Sequence, residues 1–470
     1  MAVLLSAAAL WKGTGLDPQW ELTWLAPVPV LAFALRAPAS AAALASLAAW
    51  TLGGLNLWHY YRGILGVPLP VVLVAITVPA IAFAGLALLM RALAGRGRTL
   101  LATLALPSGW TALEHVASRL SPHGTFGSLA YTQMDCLPVV QVASLLGISG
   151  ITFLLTLVPS AIAAATLPTA ARTRPAILGT TAAALALALV YGGWRLVRDD
   201  PGRTSVTVGL AAADRPEQPA PAESEAGREL LAAYSREVAG LASRGAEIVV
   251  LPETVVRVGI EGVTTVRRSI GGDAGGRLLV LGADLLDPRG EANAAIAFVP
   301  GRPAPAVYTK QHLLPPFESR FQPGRELTVL DTRWGSLGLA VCKDMDFAPL
   351  GRRYAARGVS LLLVPAWDFT ADGWLHSRMA VLRGVEGGFA VARAARGGRL
   401  TICDDRGRIV AEAASAEAPV ASVLGAVRAR AEGTPYARLG DWFAWLAVGL
   451  FALAVAGAVR AGAAQEVGQP

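Results

Sequence analysis

LGLAVCKDMDF spans residues 337–347, and its first five residues are apolar with no polar alternation. A strand of that kind is covered on both faces, so helices must flank the sheet that holds it. Ser205–Leu210, Ile248–Leu251, Leu278–Leu281, Ala294–Val299, Leu327–Leu330, Ser360–Val364, Phe389–Ala392 and Leu400–Cys403 read as further strands. Between them Glu229–Ser243 has helical spacing and is stopped by Gly245, and Trp374–Gly384 is a second helix. The pattern predicts a layered α/β domain over residues 199–431. The quoted stretch also leaves its strand at Cys342, directly before Lys343 and Asp344.

Outside that domain the chain changes character. Of its 470 residues 54% are hydrophobic and only 16% charged, and the mean hydropathy is +0.48. Soluble domains are about a quarter charged, and about 20 apolar residues suffice to cross a bilayer. Ala37–Tyr61, Gly63–Met90, Cys136–Ala171, Pro175–Trp194 and Trp442–Val459 each run without Asp, Glu, Lys or Arg. Leu22–Leu35 and Leu100–Val116 are weaker spans, and residues 1–11 are read as a short first membrane helix. The expected organisation is a polytopic α-helical membrane domain at 1–198, the α/β domain at 199–431, and a final helix with a tail at 432–470.

Arg36, Arg91, Arg96, Arg98, Arg172, Arg174 and Arg460 fall in alternate connections, which the positive-inside rule puts in the cytoplasm. Residues 199–431 and the 119–135 loop are then extracytoplasmic. The formal charge of +7 is spread over such loops without interleaved aromatics, so nucleic acid is not an expected partner. Three cysteines make no disulfide framework. The five histidines have no metal-ligand spacing, and neither a metal nor another cofactor is expected.

Glu253 ends IVVLPE, Lys310 lies in VYTKQHLLPPFE and Cys342 ends LGLAVC. Strand ends deliver side chains to a shared cleft. Acyl transfer needs a nucleophile, a base and a cation or donors for the oxyanion, and Cys, Glu and Lys supply these. Taken singly, Cys342 reads as a small core residue, Glu253 as a solvated strand end and Lys310 as a surface cation. Their joint appearance favours chemistry.

LPETV (251–255), YTKQHLLPPFE (308–318) and VCKD (341–344) are similar to the base, lysine and nucleophile motifs of the nitrilase superfamily. Tyr131-Thr132-Gln133, VVQVASLLGISGITFLL (139–155) and GDWFAWL (440–446) resemble signatures of its membrane-embedded apolipoprotein N-acyltransferase family. The resemblance implies an αββα sandwich in a bacterial cytoplasmic membrane. It implies Glu253 as base, Lys310 as oxyanion stabiliser and Cys342 as nucleophile, with Glu318 orienting Lys310 or the base and Asp344 supporting. The donor would be a phospholipid, acylating Cys342 as a thioester, and the acceptor the N-terminal diacylglyceryl-cysteine of an apolipoprotein. The rival reading is a membrane-tethered amidase acting on a C–N bond.

Two departures stand out. The family usually has an aromatic and then Glu after the nucleophile, where this chain has Lys343 and Asp344. AAADRPEQ (211–218) lacks the family's usual Gln-Gly-Asn-like segment. Strand alternation turns Lys343 away from Cys342, toward a lipid phosphate or into solvent. Trp367 and Trp374 either line the substrate pocket or pack at its rim. Cys136, Cys403 and His312 read as structural.

Overall fold

The computed structural model describes residues 1–198, 205–214, 218–271, 276–288, 290–429 and 431–466. The expected boundary at Asp199 and the middle of the 211–218 stretch lie outside the described residues. The chain divides into two compact units. One comprises 1–119, 127–197 and 439–470, and the other 120–126 with 198–438. The units differ from the expected domains in two places: 120–126, part of the 119–135 loop expected outside the cytoplasm and assigned to the first domain, folds with the α/β unit, and the last break falls at Leu439 instead of 432.

Among the described residues, five helices of the first unit are long and apolar enough to cross a membrane. They are Ala39–Ile64, Leu69–Gly95, Ile148–Ala165, Arg174–Val197 and Trp442–Arg460. Thr99–Leu120 has 22 residues, but its Thr, Ser, Glu114, His115 and Arg119 dilute its apolar character. Ala2–Gly13, Trp20–Ala34 and Leu137–Leu146 are shorter apolar segments. The apolar run 136–171 is therefore not one span. Gly147, at φ +67°, separates Ala143–Leu146 from Ile148–Ala165. Composition alone does not reveal such a break, because all of the pieces are apolar.

Trp50 packs between Phe83 and Trp110, with ring centroids 4.7 and 4.4 Å away. One turn beyond Trp110, the Glu114 carboxylate accepts four hydrogen bonds. Trp110 Nε1 (2.9 Å) and Leu129 N (2.9 Å) donate to one oxygen, and the Ser128 (2.6 Å) and Thr152 (2.7 Å) hydroxyls to the other.

Among the described residues, the α/β unit has fourteen strands in chain order. Strands β1 (Ser205–Ala212), β2 (Ala220–Pro221), β3 (Ile248–Val250), β4 (Val256–Gly259), β5 (Leu278–Asp287), β6 (Gly290–Phe298) and β7 (Ala306–Thr309) lie in one sheet. Strands β8 (Thr328–Thr332), β9 (Gly335–Leu339), β10 (Leu361–Trp367), β11 (Ala390–Arg396), β12 (Arg399–Cys403) and β13 (Ile409–Ala414) form the second, and β14 (Ala421–Arg428) returns to the first. The first runs β14-β1-β3-β5-β4-β2, with β6 on β5 and β7 on β6; the second runs β13-β12-β11-β10-β9-β8.

Period-two burial builds the layers. In β3, Ile248 and Val250 join Leu337, Leu339, Leu361 and Leu363 in the core between the sheets. Val249 and Leu251 face the other way, onto Leu231, Tyr234, Val238 and Leu241 of helix α1 (Glu225–Ser243) and onto helix α2 (Val263–Ser269). Helices α3 (Ala348–Ala356) and α4 (Gly373–Gly387) pack together, and α4 covers β11 and β12. This is the αββα sandwich that the resemblance implied, and it has the helix-flanked layers that the unalternating strands predicted.

Candidate active site

Glu253 follows β3 where the chain leaves the sheet. It needs a close passage: a Cβ on Gly282 of β5 would stand 2.4 Å from Glu253 Cα. The Glu253 backbone N–H donates to the Ala366 carbonyl of β10 at 3.2 Å, which stitches the two sheets together. Its side chain is 3% exposed, and Oε1 accepts from Lys310 Nζ at 2.8 Å and Asn293 Nδ2 at 2.5 Å.

Lys310 directly follows β7, its N–H bonded to the Asn293 carbonyl at 2.9 Å. Nζ lies between two carboxylates, 2.8 Å from Glu253 Oε1 and 2.8 Å from Glu318 Oε2. Glu318 Oε2 also accepts the Leu314 N–H at 2.7 Å, closing the loop that carries both residues. Asn293 bridges the same two carboxylates, reaching Glu318 Oε1 at 2.6 Å.

Cys342 begins the 3-10 turn Cys342–Asp346 that follows β9. Its backbone is left-handed, φ +43°, and the flanking Thr254 (φ +46°) and Thr370 (φ +63°) are the other non-glycine residues of positive φ among those described. Such backbones are strained and gather at functional sites. Cys342 Sγ is partly exposed and donates to the Trp367 carbonyl at 3.3 Å. Asp368, next along, is buried and paired twice with Arg393, at 2.8 and 2.5 Å.

Asp344 binds the Cys342 turn to the Lys310 loop. It is fully buried and accepts from Tyr308 Oη (2.8 Å), His312 N (3.0 Å), Gln311 N (3.2 Å) and Val341 N (3.1 Å). His312 contacts Asp344 through Nδ1 at 2.9 Å and stacks on Phe347 at 3.7 Å, a structural role. Lys343 corrects the sequence reading. It is 5% exposed, neither solvated nor turned toward a lipid surface, with Nζ 3.3 Å from Asp346 Oδ2 and 3.3 Å from His123 Nδ1. The left-handed turn at Cys342 ends the strand alternation on which the expectation rested. Trp367 is 36% exposed, with Arg396 4.2 Å over its ring. Trp374, at the start of α4, has the Arg378 guanidinium 5.4 Å over its ring. Cys403 is buried in β12 and Cys136 half-buried; all three cysteines are free.

Asn293 is the site residue that sequence reading missed. The one available signal was a polar residue at the head of the apolar run AAIAF.

The electrostatics favour proton transfer at the moment of attack over a resting thiolate. Burial pushes the Glu253 carboxyl above the ordinary glutamate value; Lys310 opposes this and Glu318 adds to it. Burial works against the Lys310 ammonium, but the Glu253 and Glu318 charges prevail and hold its pKa well above that of a free lysine. Burial and then Glu253 drive the Cys342 thiol well up, against Lys310 and Arg393. The arrangement supplies a protonated thiol, a carboxylate made more basic by burial, and a permanent cation beside both.

Comparison with known proteins defines the class first. Residues 274–441 match the carbon-nitrogen hydrolase family. Among solved structures, the chain is similar to Nit3 of Saccharomyces cerevisiae, a member of branch 10 of the nitrilase superfamily. That match has a TM-score of 0.41 at 22% identity, over 47% of this chain and 89% of that one. Residues 6–161 match the apolipoprotein N-acyltransferase N-terminal domain. An apolipoprotein N-acyltransferase of Geobacter metallireducens is 28% identical over 98% of this chain and 95% of its own length. That of Thermotoga maritima is 31% identical over 29% of this chain and 28% of its own. Over nearly its whole length the chain is thus similar to apolipoprotein N-acyltransferases, with that family's N-terminal domain and a carbon-nitrogen hydrolase domain both matched.

Proposed function

We propose that this chain transfers an acyl group from a membrane phospholipid, through a thioester on Cys342, to the N-terminal diacylglyceryl-cysteine of an apolipoprotein. The observation that carries the reading is the buried Glu253–Lys310–Glu318 group beside Cys342, in a chain that also has five apolar helices of membrane-spanning length. Glu253 takes the thiol proton as Sγ attacks the donor ester carbonyl. The Lys310 ammonium faces the tetrahedral oxyanion. Its collapse breaks the ester C–O bond, Glu253 returns the proton to the leaving oxygen, and a lysophospholipid departs. The acceptor α-amine then attacks the thioester and loses its proton to Glu253. Collapse forms the amide, and the proton ends on the Cys342 thiol.

The membrane unit has a physical purpose here. Each methylene drawn into water costs ~0.8 kcal/mol, so both substrates react best with their chains still in lipid. The alternating arginines support a topology with the α/β unit outside the cytoplasm and the apolar helices in a bacterial cytoplasmic membrane.

The test is a radiolabelled phospholipid given to the full-length protein in vesicles, with and without a diacylglyceryl-cysteine peptide. A label covalently held by the wild type, absent from Cys342→Ala and chased onto the peptide is the expected result. Release only of free fatty acid in the presence of peptide would make the protein a hydrolase. A label on Cys403 or Cys136 would overturn the site.

A further inference from the structure

The cluster around Lys343 lies outside the acyl-transfer machinery, and it involves a distant part of the chain. The 120–126 segment is flanked in sequence by residues of the helical unit but folds with the α/β unit. It meets the nucleophile turn at several points. Thr125 donates to the Asp346 carbonyl through its backbone N–H (2.9 Å) and its hydroxyl (2.7 Å). Gly124, at φ +53°, comes so close that a Cβ there would lie 2.5 Å from the same oxygen. His123 Nδ1 lies 3.3 Å from Lys343 Nζ. Phe126 packs on the His376 ring at 5.8 Å.

Asp346 is the hub of this group. Its carboxylate lies 3.3 Å from Lys343 Nζ and 3.7 Å from His376 Nδ1, and His376 Nε2 lies 3.3 Å from Asp372. Burial alone would raise the Asp346 carboxyl, but His376 and Lys343 hold it below the usual range. A lysine this deeply enclosed persists only with such partners. The 3-10 turn from Cys342 to Asp346 is therefore secured at both ends. Asp344 fixes its start to the Val341 N–H and the lysine loop, and the 123–126 contacts fix its end. The left-handed backbone of Cys342 lies inside that turn.

We propose that Lys343 is a positioning residue, which with Asp346 and His123 latches the 120–126 segment onto the nucleophile turn and so holds Cys342 in its attacking geometry. The proposal rests on Cys342 being the nucleophile, as argued above. It gives Lys343 a role in the acylation step and none in choosing the donor head group.

The experiment uses the full-length protein in vesicles. Small displacements of a reacting atom cost up to about 100-fold in rate, so Lys343→Met should slow acylation of Cys342 by about 10- to 100-fold, leaving the donor KM within about two-fold. Lys343→Arg should recover most of the loss. Thr125→Val, which removes only the hydroxyl contact from the far side of the latch, should slow acylation in the same direction. Combined with Lys343→Met it should act less than multiplicatively. Thr125→Val also carries the test alone if Lys343→Met does not accumulate. Two readouts need no lipid: Cys342 alkylation by iodoacetamide should slow in Lys343→Met, and chymotryptic cleavage at Phe126 should quicken. A changed donor KM with acylation rate intact would make Lys343 a lipid contact and overturn the latch. Unchanged alkylation together with unchanged cleavage would also overturn it. If the wild type forms no thioester, the proposed function fails, while alkylation and cleavage still decide the latch.

Discussion

Glu114 in the helical unit and Glu253 in the α/β unit both hold a carboxylate with hydrogen bonds, by contrasting means. Glu114 accepts only from neutral donors, two to each oxygen: indole, backbone N–H and two hydroxyls. Such a group is satisfied, and it joins Thr99–Leu120 to Ser128–Leu129 and to Ile148–Ala165. Glu253 instead shares a cation with Glu318 and an amide with the same residue. Two carboxylates around one ammonium leave an excess of negative charge next to a thiol that burial keeps protonated. Neutral donors make the Glu114 carboxylate a fastener; at Glu253, burial and the neighbouring Glu318 raise the carboxyl pKa against the pull of the shared Lys310 cation.

The sharpest way to break this comparison is Glu253→Gln. General bases contribute about 10²- to 10⁴-fold, and Cys342 acylation should fall by that much with the protein still folded. In the wild type, the acid limb of acylation kcat/KM should lie above 4.5, the ordinary glutamate value, because Glu253 must be ionised to accept a proton and burial raises its pKa. A limb at or below that value would remove Glu253 from the role. Glu114→Leu tests the other side. Stranding buried donors costs about 1–3 kcal/mol, so the apparent Tm in detergent should drop while acylation per folded molecule is unchanged. A large loss of acylation per folded molecule would give Glu114 a part in the reaction.

The latch offers a subtler contrast, in pH dependence. Burial opposes the His376 charge, but Asp346 and Asp372 raise its pKa from 6.5 to about 10. A raised group stabilises fully below its unfolded value and loses that contribution as pH climbs through the folded one. The Tm difference between wild type and His376→Gln should hold steady over about pH 5–6, decline as pH rises further, and vanish above about 10. Asp346, with its pKa lowered from 3.8, works in reverse: its contribution is present above that value and fades as pH falls through the lowered one. A Tm difference that grows toward alkaline pH would sink the ion-pair account. The smallest expected effect is Cys403→Ser. This thiol is buried at the end of β12, and turnover should stay within about two-fold apart from a modest packing loss.

How much of this was legible before the fold depends on where each residue sits in its element. Glu253, Lys310 and Cys342 each follow a strand, and a strand's exit is visible in sequence because apolar runs stop abruptly. Their meeting was expected from that, and the fold brings Lys310 within 2.8 Å of Glu253. Asn293 was hard to read, because its partners come from two other segments and its one local mark is being a polar residue at the head of an apolar run. Lys343 was misread for a different reason. Alternation is a property of strands, and it lapses once Cys342 adopts φ +43°. The 120–126 segment looked like an ordinary polar connection because its partner is the carbonyl of Asp346, a group every residue possesses. The break at Gly147 was equally silent among apolar neighbours.

The stitch between the sheets sets the scale of the site. Ala366 accepts from the Glu253 N–H, and the next carbonyl, Trp367, accepts from the Cys342 thiol. Glu253 and Cys342 are thus hung from adjacent pegs of β10, whose alpha carbons stand about 3.8 Å apart in any trans peptide. The strand serves as a calliper. Its setting is made in backbone atoms, so new side chains at 366 or 367 leave the gap unchanged, whereas inserting or deleting one residue in β10 would move one jaw without the other.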